Sequence, residues 1–302
     1  MKYLKAGVFS AIGIVILVFL LGEIRLDELG LTFRSIDWRF TLLAFGFYIG
    51  ANLIRAERFS LILERKISRR EFLRIVFLQN FFNVILPFRL GELSYIALVK
   101  NRGGVGLGQN IASLIGARAL DLVSVIALFL VGLAAVFRGI SHSPLFLLTA
   151  LAMAVAVGVG LAAAVWRSAH TRSKHRWWND IIAGFSLFRA RRTLLLIGVL
   201  SLAAWILTFT SGILLLYGSG LRLGIGENIF VYAFPVFISM TPFLIWGGFG
   251  SYEGSVVLPL LVLGVGSAQT IPLAIAIHVQ ELMFVSSLAA VGFLSQRLRA
   301  KK

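Results

Sequence analysis

The feature that most constrains this chain is a polar cluster set between two apolar runs. Phe81-Phe82-Asn83-Val84-Ile85-Leu86-Pro87-Phe88-Arg89-Leu90-Gly91-Glu92-Leu93-Ser94 brings Pro, Arg, Gly and Glu together where a simple membrane helix would not tolerate them. A charged side chain at a helix centre costs about 2.5–3.5 kcal/mol on the insertion scale, and a proline removes a backbone donor and clashes with the preceding turn. The run after the proline, 88–99, is about twelve residues long, roughly 18 Å of helix against a hydrocarbon core of about 30 Å. It does not cross alone. The stretch is therefore predicted to be the tip of a broken helix that enters the membrane and returns, its polar groups facing protein or water rather than lipid.

Composition sets the surroundings. The chain has 302 residues, 59% of them hydrophobic and 14% charged, with mean hydropathy +0.92. This is the profile of an integral membrane protein. A net charge of +16 would point to nucleic acid in a soluble protein. In a membrane protein it points to cationic loops against anionic lipids at the cytoplasmic face, with no nucleic-acid partner. The absence of cysteine excludes disulfides, cysteine nucleophiles and thiolate metal sites. The first apolar run, 6–21, follows Lys2 and Lys5 like a signal peptide, but Leu20-Leu21-Gly22-Glu23-Ile24 lacks a small-x-small cleavage site, so it is expected to stay as a span.

Loop charges then orient the chain. Residues 23–39 carry net −1 and are expected outside, whereas 55–74 carry net +4 and 167–192 carry net +6 and are expected in the cytoplasm. The second span is read as 40–54, with Gly46-x-x-x-Gly50 as a close-packing face. Beyond it, Phe59-x-Leu61-Ile62-Leu63 is expected along the interface, and Trp177-Trp178 as an interfacial anchor. The first hairpin opens from the cytoplasm, 109–137 crosses outward to the loop 138–143, 144–166 returns, and 193–217 crosses outward again. A second broken segment, 229–246, is interrupted by Pro235 and Pro242 and turns at Gly247-Gly248-Phe249-Gly250-Ser251-Tyr252-Glu253-Gly254. The run 255–266 is again about twelve residues, too short to span. The last span, 271–294, ends before Arg297, Arg299, Lys301 and Lys302, placing both termini in the cytoplasm.

Each half, 1–137 and 144–302, thus reads helix, helix, re-entrant hairpin, helix. The expected fold is an all-α polytopic membrane protein: six spanning helices plus two oppositely oriented re-entrant helical hairpins in an inverted repeat. It forms a single transmembrane domain over 1–302 without a soluble domain. This is the pattern of secondary transporters, in which broken helices line a polar site near the midplane.

The charged residues inside apolar runs are the candidate site: Arg89 and Glu92 at the first tip, Arg118 and Asp121 in the following helix, Glu253 at the second tip, and His278 and Glu281 in the last helix. Arg118 and Asp121 are three apart and share a helix face. Arginines suit phosphate through forked contacts, and a helix start at a break offers free N–H groups to an anion. The carboxylates Glu92, Asp121, Glu253 and Glu281 balance arginine charge or carry protons, and His278 titrates near neutral pH or hydrogen-bonds between helices. The bland alternative is a set of salt bridges tying hairpins to helices. His278-x-x-Glu281 lacks the second pair a metal site needs, Gly103-Gly104-Val105-Gly106-Leu107-Gly108 lacks the Lys-Ser/Thr of a nucleotide loop, and no cofactor is expected.

Asn83-x-x-x-Pro87-x-Arg89-x-Gly91-Glu92, Arg118-x-x-Asp121 and Gly247-Gly248-Phe249-Gly250-x-x-Glu253-Gly254, in that order, resemble the lysylphosphatidylglycerol synthase transmembrane-region family, also called flippase-like. The resemblance spans essentially the whole chain. It implies a polytopic protein of a bacterial or archaeal cytoplasmic (inner) membrane that translocates lipids. The positions expected to contact the substrate are Arg89, Arg118, Asn83, Gly91, Gly248 and Gly250. There are two departures. Ala117 stands where the family often has an acidic residue, and the chain carries no aminoacyl-transfer domain, so synthase activity is not implied. The expected substrate is a phosphate-bearing or otherwise anionic lipid: a phospholipid, a polyprenyl-phosphate carrier, a glycolipid or a hopanoid-type lipid. A membrane-embedded enzyme acting on a lipid headgroup and a non-transporting subunit of an envelope-synthesis complex are the alternatives.

Overall fold

The computed structural model describes residues 26–100, 102–137, 176–188, 190–241 and 246–300. The expected spans 6–21 and 144–166, the loop 138–143, Pro242 and the side chains of Trp177 and Trp178 lie outside the described residues. The described chain is all-helical: α1 Leu26–Ser35, α2 Trp38–Ile62, α3 Arg69–Ile85, α4 Gly91–Lys100, α5 Leu107–Val136, α6 Arg176–Gly184, α7 Arg191–Gly218, α8 Ile225–Met240, α9 Ser251–Val262 and α10 Ser267–Ala300.

Local chemistry sets the boundaries of the two broken segments. Ser68 caps α3 by accepting from the Glu71 N–H, the spacing of a capping box. The helix stops at Ile85 because a residue before proline is driven to extended backbone, and Leu86 has φ −87° and ψ 136°. A 3₁₀ turn over Pro87–Arg89 then leads into α4. In the second half, α8 passes through Pro235 without ending, so Pro235 is not the break expected from sequence. The chain turns, as expected from sequence, around Gly247, Gly248 and Gly250, at φ +65°, +78° and +80°, backbone that side chains with a Cβ rarely adopt. Glu253 closes this turn by accepting the Gly250 N–H at 2.6 Å, which caps α9.

Element order repeats: a short helix, a long one, a broken pair and a long one run through α1 to α5 and again through α6 to α10. The 3₁₀ turns of the two breaks, Pro87–Arg89 and Trp246–Gly248, lie against each other. Three described helices are long and apolar enough to cross a bilayer: α5, α7 and residues 267–295 of α10, with mean hydropathy 2.5, 2.1 and 1.6. Their outer faces expose Val131, Leu195, Val199, Val291 and Leu294, side chains suited to lipid.

Helix α2 differs most from expectation. It does not end at 54 but continues to Ile62, carrying Arg55 and Arg58 as buried residues rather than as part of a cytoplasmic loop. Phe59, Ile62 and Leu63 are likewise buried, packed in an apolar cluster with Phe72, Tyr95 and Ile197 instead of lying along an interface. Helix α2 packs closely on α7, where Ser211 donates to the Ala44 carbonyl at 2.8 Å; Ala44 and Ala51 of α2 are both fully buried. Gly50 approaches Leu207, but Gly46 faces open space, so Gly46-x-x-x-Gly50 is only half used.

Two apolar cores result. One joins Phe59, Phe72, Tyr95, Leu114, Ala117 and Ile197; the other joins Ala44, Val125, Phe209, Val231, Leu260 and Phe284. On α5, Asp121 falls between Ala117 of one core and Val125 of the other, and on α7 Ser201 falls between Ile197 and Phe209. Helical side chains lean toward the N-terminus, which directs Arg55 and Arg58 of α2 into this same layer. A polar layer therefore lies between the two cores.

Candidate functional site

A cavity of about 180 Å³ opens in this layer, lined by Arg55, Arg58, Arg89 and Arg118 on one side and by Tyr232, Tyr252, His278 and Glu281 on the other. Asp121, Trp205 and Glu281 sit at the middle, within one residue, of the three apolar spans 107–136, 191–218 and 267–295. The polar groups thus occur at the depth where an isolated charge is least tolerated, and they meet each other rather than lipid.

Two carboxylates organise the arginines. Glu92 Oε1 accepts from Arg89 and from Arg118, each at 2.9 Å, while Gln79 donates to Oε2 at 3.2 Å. Asp121 accepts from Arg58 at both oxygens, from Arg118 at 3.1 Å and from the Trp205 indole N–H at 2.9 Å. Arg118 bridges the two acids, and Arg58 also donates to Ser201 at 2.7 Å. The pairing of Arg118 with Asp121 expected from their spacing is present. Arg55 donates to Thr208 Oγ1 at 2.7 Å and lies 5.1 Å from the Trp205 ring centroid.

The first break holds its residues under constraint. Arg89 has φ +55°, a left-handed conformation that costs a residue with a Cβ on the order of 1–3 kcal/mol and persists only where surroundings enforce it. Gly91 is buried, and a Cβ there would run into the backbone nitrogen and side-chain oxygen of Asn83. That contact gives Gly91 a packing role, letting the start of α4 rest on the end of α3. Asn83 lines the cavity.

The second break is latched to α10. His278 Nδ1 meets Glu253 Oε1 at 2.7 Å, and the imidazole stacks on Tyr252 with centroids 4.3 Å apart. Gly248 lines the cavity beside the His278 ring, and Gly250 gives its N–H to Glu253. Glu281 accepts from the Tyr232 hydroxyl at 2.8 Å. Glu253 and Glu281 thus stand apart from the arginine network, each with its own partner. Sequence reasoning missed Arg55, Arg58, Trp205 and Thr208. The signal for the first two is the spacing Asn52, Arg55, Phe59, Ile62, which keeps one face of α2 continuous past the fall in hydropathy.

Residues 6–289 match the family described as lysylphosphatidylglycerol synthase TM region. The chain belongs to that family. Membership and the apolar helices make it a multi-pass membrane protein, and the family points to a function related to membrane lipids. The matched range contains both helix breaks and every cavity arginine. A comparison of the chain with curated proteins returns no match.

Proposed function

We propose that this protein is a lipid flippase, moving an anionic or phosphate-bearing lipid between leaflets through the polar cavity. The observation that carries the proposal is the excess of guanidinium in a buried layer: Arg55, Arg58, Arg89 and Arg118 share that layer with Glu92 and Asp121, and Glu281 on the far wall is engaged by Tyr232. Such a layer favours an anion, because surplus positive charge away from water is stabilised by a counter-charge. Arg89 and Arg118 hold the headgroup phosphate, exchanging Glu92 oxygens for phosphate oxygens of the same forked geometry. Asn83 and Gly248 lie beside the headgroup, while Gly91 and Gly250 keep the breaks in shape. Glu92 and Asp121 balance the arginines, and Glu253, His278 and Glu281 couple the second break to proton binding.

In this proposal the broken pairs α3–α4 and α8–α9 are re-entrant hairpins opening from opposite faces of a six-span inverted repeat. Both termini lie in the cytoplasm of a bacterial or archaeal cell, and the halves 1–137 and 144–302 form one transmembrane domain. The acyl chains stay in lipid while the headgroup crosses the cavity.

The test is translocation of a headgroup-labelled anionic phospholipid in reconstituted vesicles. Arg89→Ala is expected to slow translocation by about tenfold or more, the scale of one charge-assisted contact. Parental rates in Arg89→Ala would remove Arg89 from the mechanism. A new headgroup product detected by mass spectrometry in the same vesicles would turn the proposal toward an enzyme.

A further inference from the structure

We infer that Arg55 is an anion-binding residue of the cavity, the guanidinium that a single phosphate group on a lipid engages first; this rests on the lipid-transport proposal above. Of the four arginines lining the cavity, three are held by acids: Arg58 by Asp121, Arg89 by Glu92, and Arg118 by both. Among the described residues Arg55 has no carboxylate within ion-pairing distance. Its hydrogen bond goes to the neutral hydroxyl of Thr208, and its flat face lies over the Trp205 ring. Only 9% of Arg55 is exposed, and the acid whose charge reaches it, Asp121, is already paired with Arg58 and Arg118.

This arrangement divides the labour. Arg58 is fully buried and locked between Asp121 and Ser201; it maintains the junction of α2, α5 and α7. Arg89 and Arg118 must release Glu92 before they can grip a phosphate with both donors. Arg55 needs no such exchange. Thr208 fixes one nitrogen and Trp205 fixes the plane of the fork, an orientation set before any ligand arrives. A group held this way binds without first losing rotamer freedom. The ligand class is a phosphate mono- or diester attached to an apolar tail.

The experiment uses purified full-length protein in detergent with dioctanoyl phosphatidic acid as probe and dioctanoylglycerol, which has the same tails and no phosphate, as control. Binding is read by calorimetry and apparent Tm by intrinsic fluorescence. Arg55→Gln is expected to weaken phosphatidic acid binding by about 10- to 100-fold, the range of charge-assisted hydrogen bonds. Arg55→Lys is expected to recover part of it, because it restores charge without the fork. Without probe, the Tm of Arg55→Gln is expected to equal or exceed the parent's, since a buried cation with no ion-pair partner of its own has been removed. A structural arginine behaves oppositely. A lower Tm, loss of monodisperse protein, or parental affinity in Arg55→Gln overturns the inference and leaves the transport proposal standing. Failure of the parent to prefer phosphatidic acid over dioctanoylglycerol overturns both.

Discussion

Replacing Asp121 by asparagine changes the charge of the buried layer while leaving its volume almost untouched. Asp121 is fully buried and accepts from Arg58, Arg118 and Trp205. Asparagine keeps one carbonyl oxygen and turns an amide toward guanidinium donors, so at least one arginine contact becomes donor against donor. Each lost charge-assisted hydrogen bond contributes about 1.5–3 kcal/mol. Leaving Arg58, which has no solvent exposure, without its counter-charge is the larger effect, about 3–5 kcal/mol for a broken buried pair. The expected destabilisation of Asp121→Asn is therefore about 3–5 kcal/mol. Unfolding by dodecyl sulfate titration in mixed micelles measures it, alongside Arg58→Met and the double variant. The double variant is expected to lose less than the sum of the singles, with a coupling of about 1–3 kcal/mol. A loss below about 1 kcal/mol, or simple additivity, would refute the view that this pair joins α2 to α5.

Two further outcomes follow from the breaks. Gly91→Ala forces a Cβ onto Asn83 backbone and is expected to lower stability by about 1–3 kcal/mol or more, read as a loss of monodisperse protein on size-exclusion chromatography. A chain without native cysteine allows topology to be mapped by single substitutions at the exposed positions Lys100 and Arg222. Lys100→Cys is expected to react with an impermeant maleimide only from the cytoplasmic side and Arg222→Cys only from outside; external labelling at 100 would dispose of the first hairpin.

Much of the architecture was legible because the signals were local. Pro87 and the glycines at 247, 248 and 250 act on their own backbone, and the Arg118–Asp121 pair follows from helix spacing alone. The arginine network was less so. Hydropathy falls after 54, and counting Arg55 and Arg58 as loop charges moved two of the four cavity arginines out of the membrane. Their partners Asp121, Ser201, Trp205 and Thr208 lie far away in sequence. Nothing near residue 58 announces an acid on α5. Glu92 has one partner close by, Arg89 three residues away, but its second, Arg118, comes from α5 and is as distant in sequence as the His278 that engages Glu253.

The position of Asp121, Trp205 and Glu281 at the middle of their spans has an electrical consequence. A full crossing of one elementary charge is worth about 2.3 kcal/mol per 100 mV, so an anion carried to this layer traverses about half of that, roughly 1.2 kcal/mol. At 100 mV this is about a sevenfold bias in occupancy, favouring entry of an anion from the negative side and opposing it from the positive side. In the proposed transport the layer would act as a voltage divider, splitting the electrical work on a charged headgroup into two nearly equal steps.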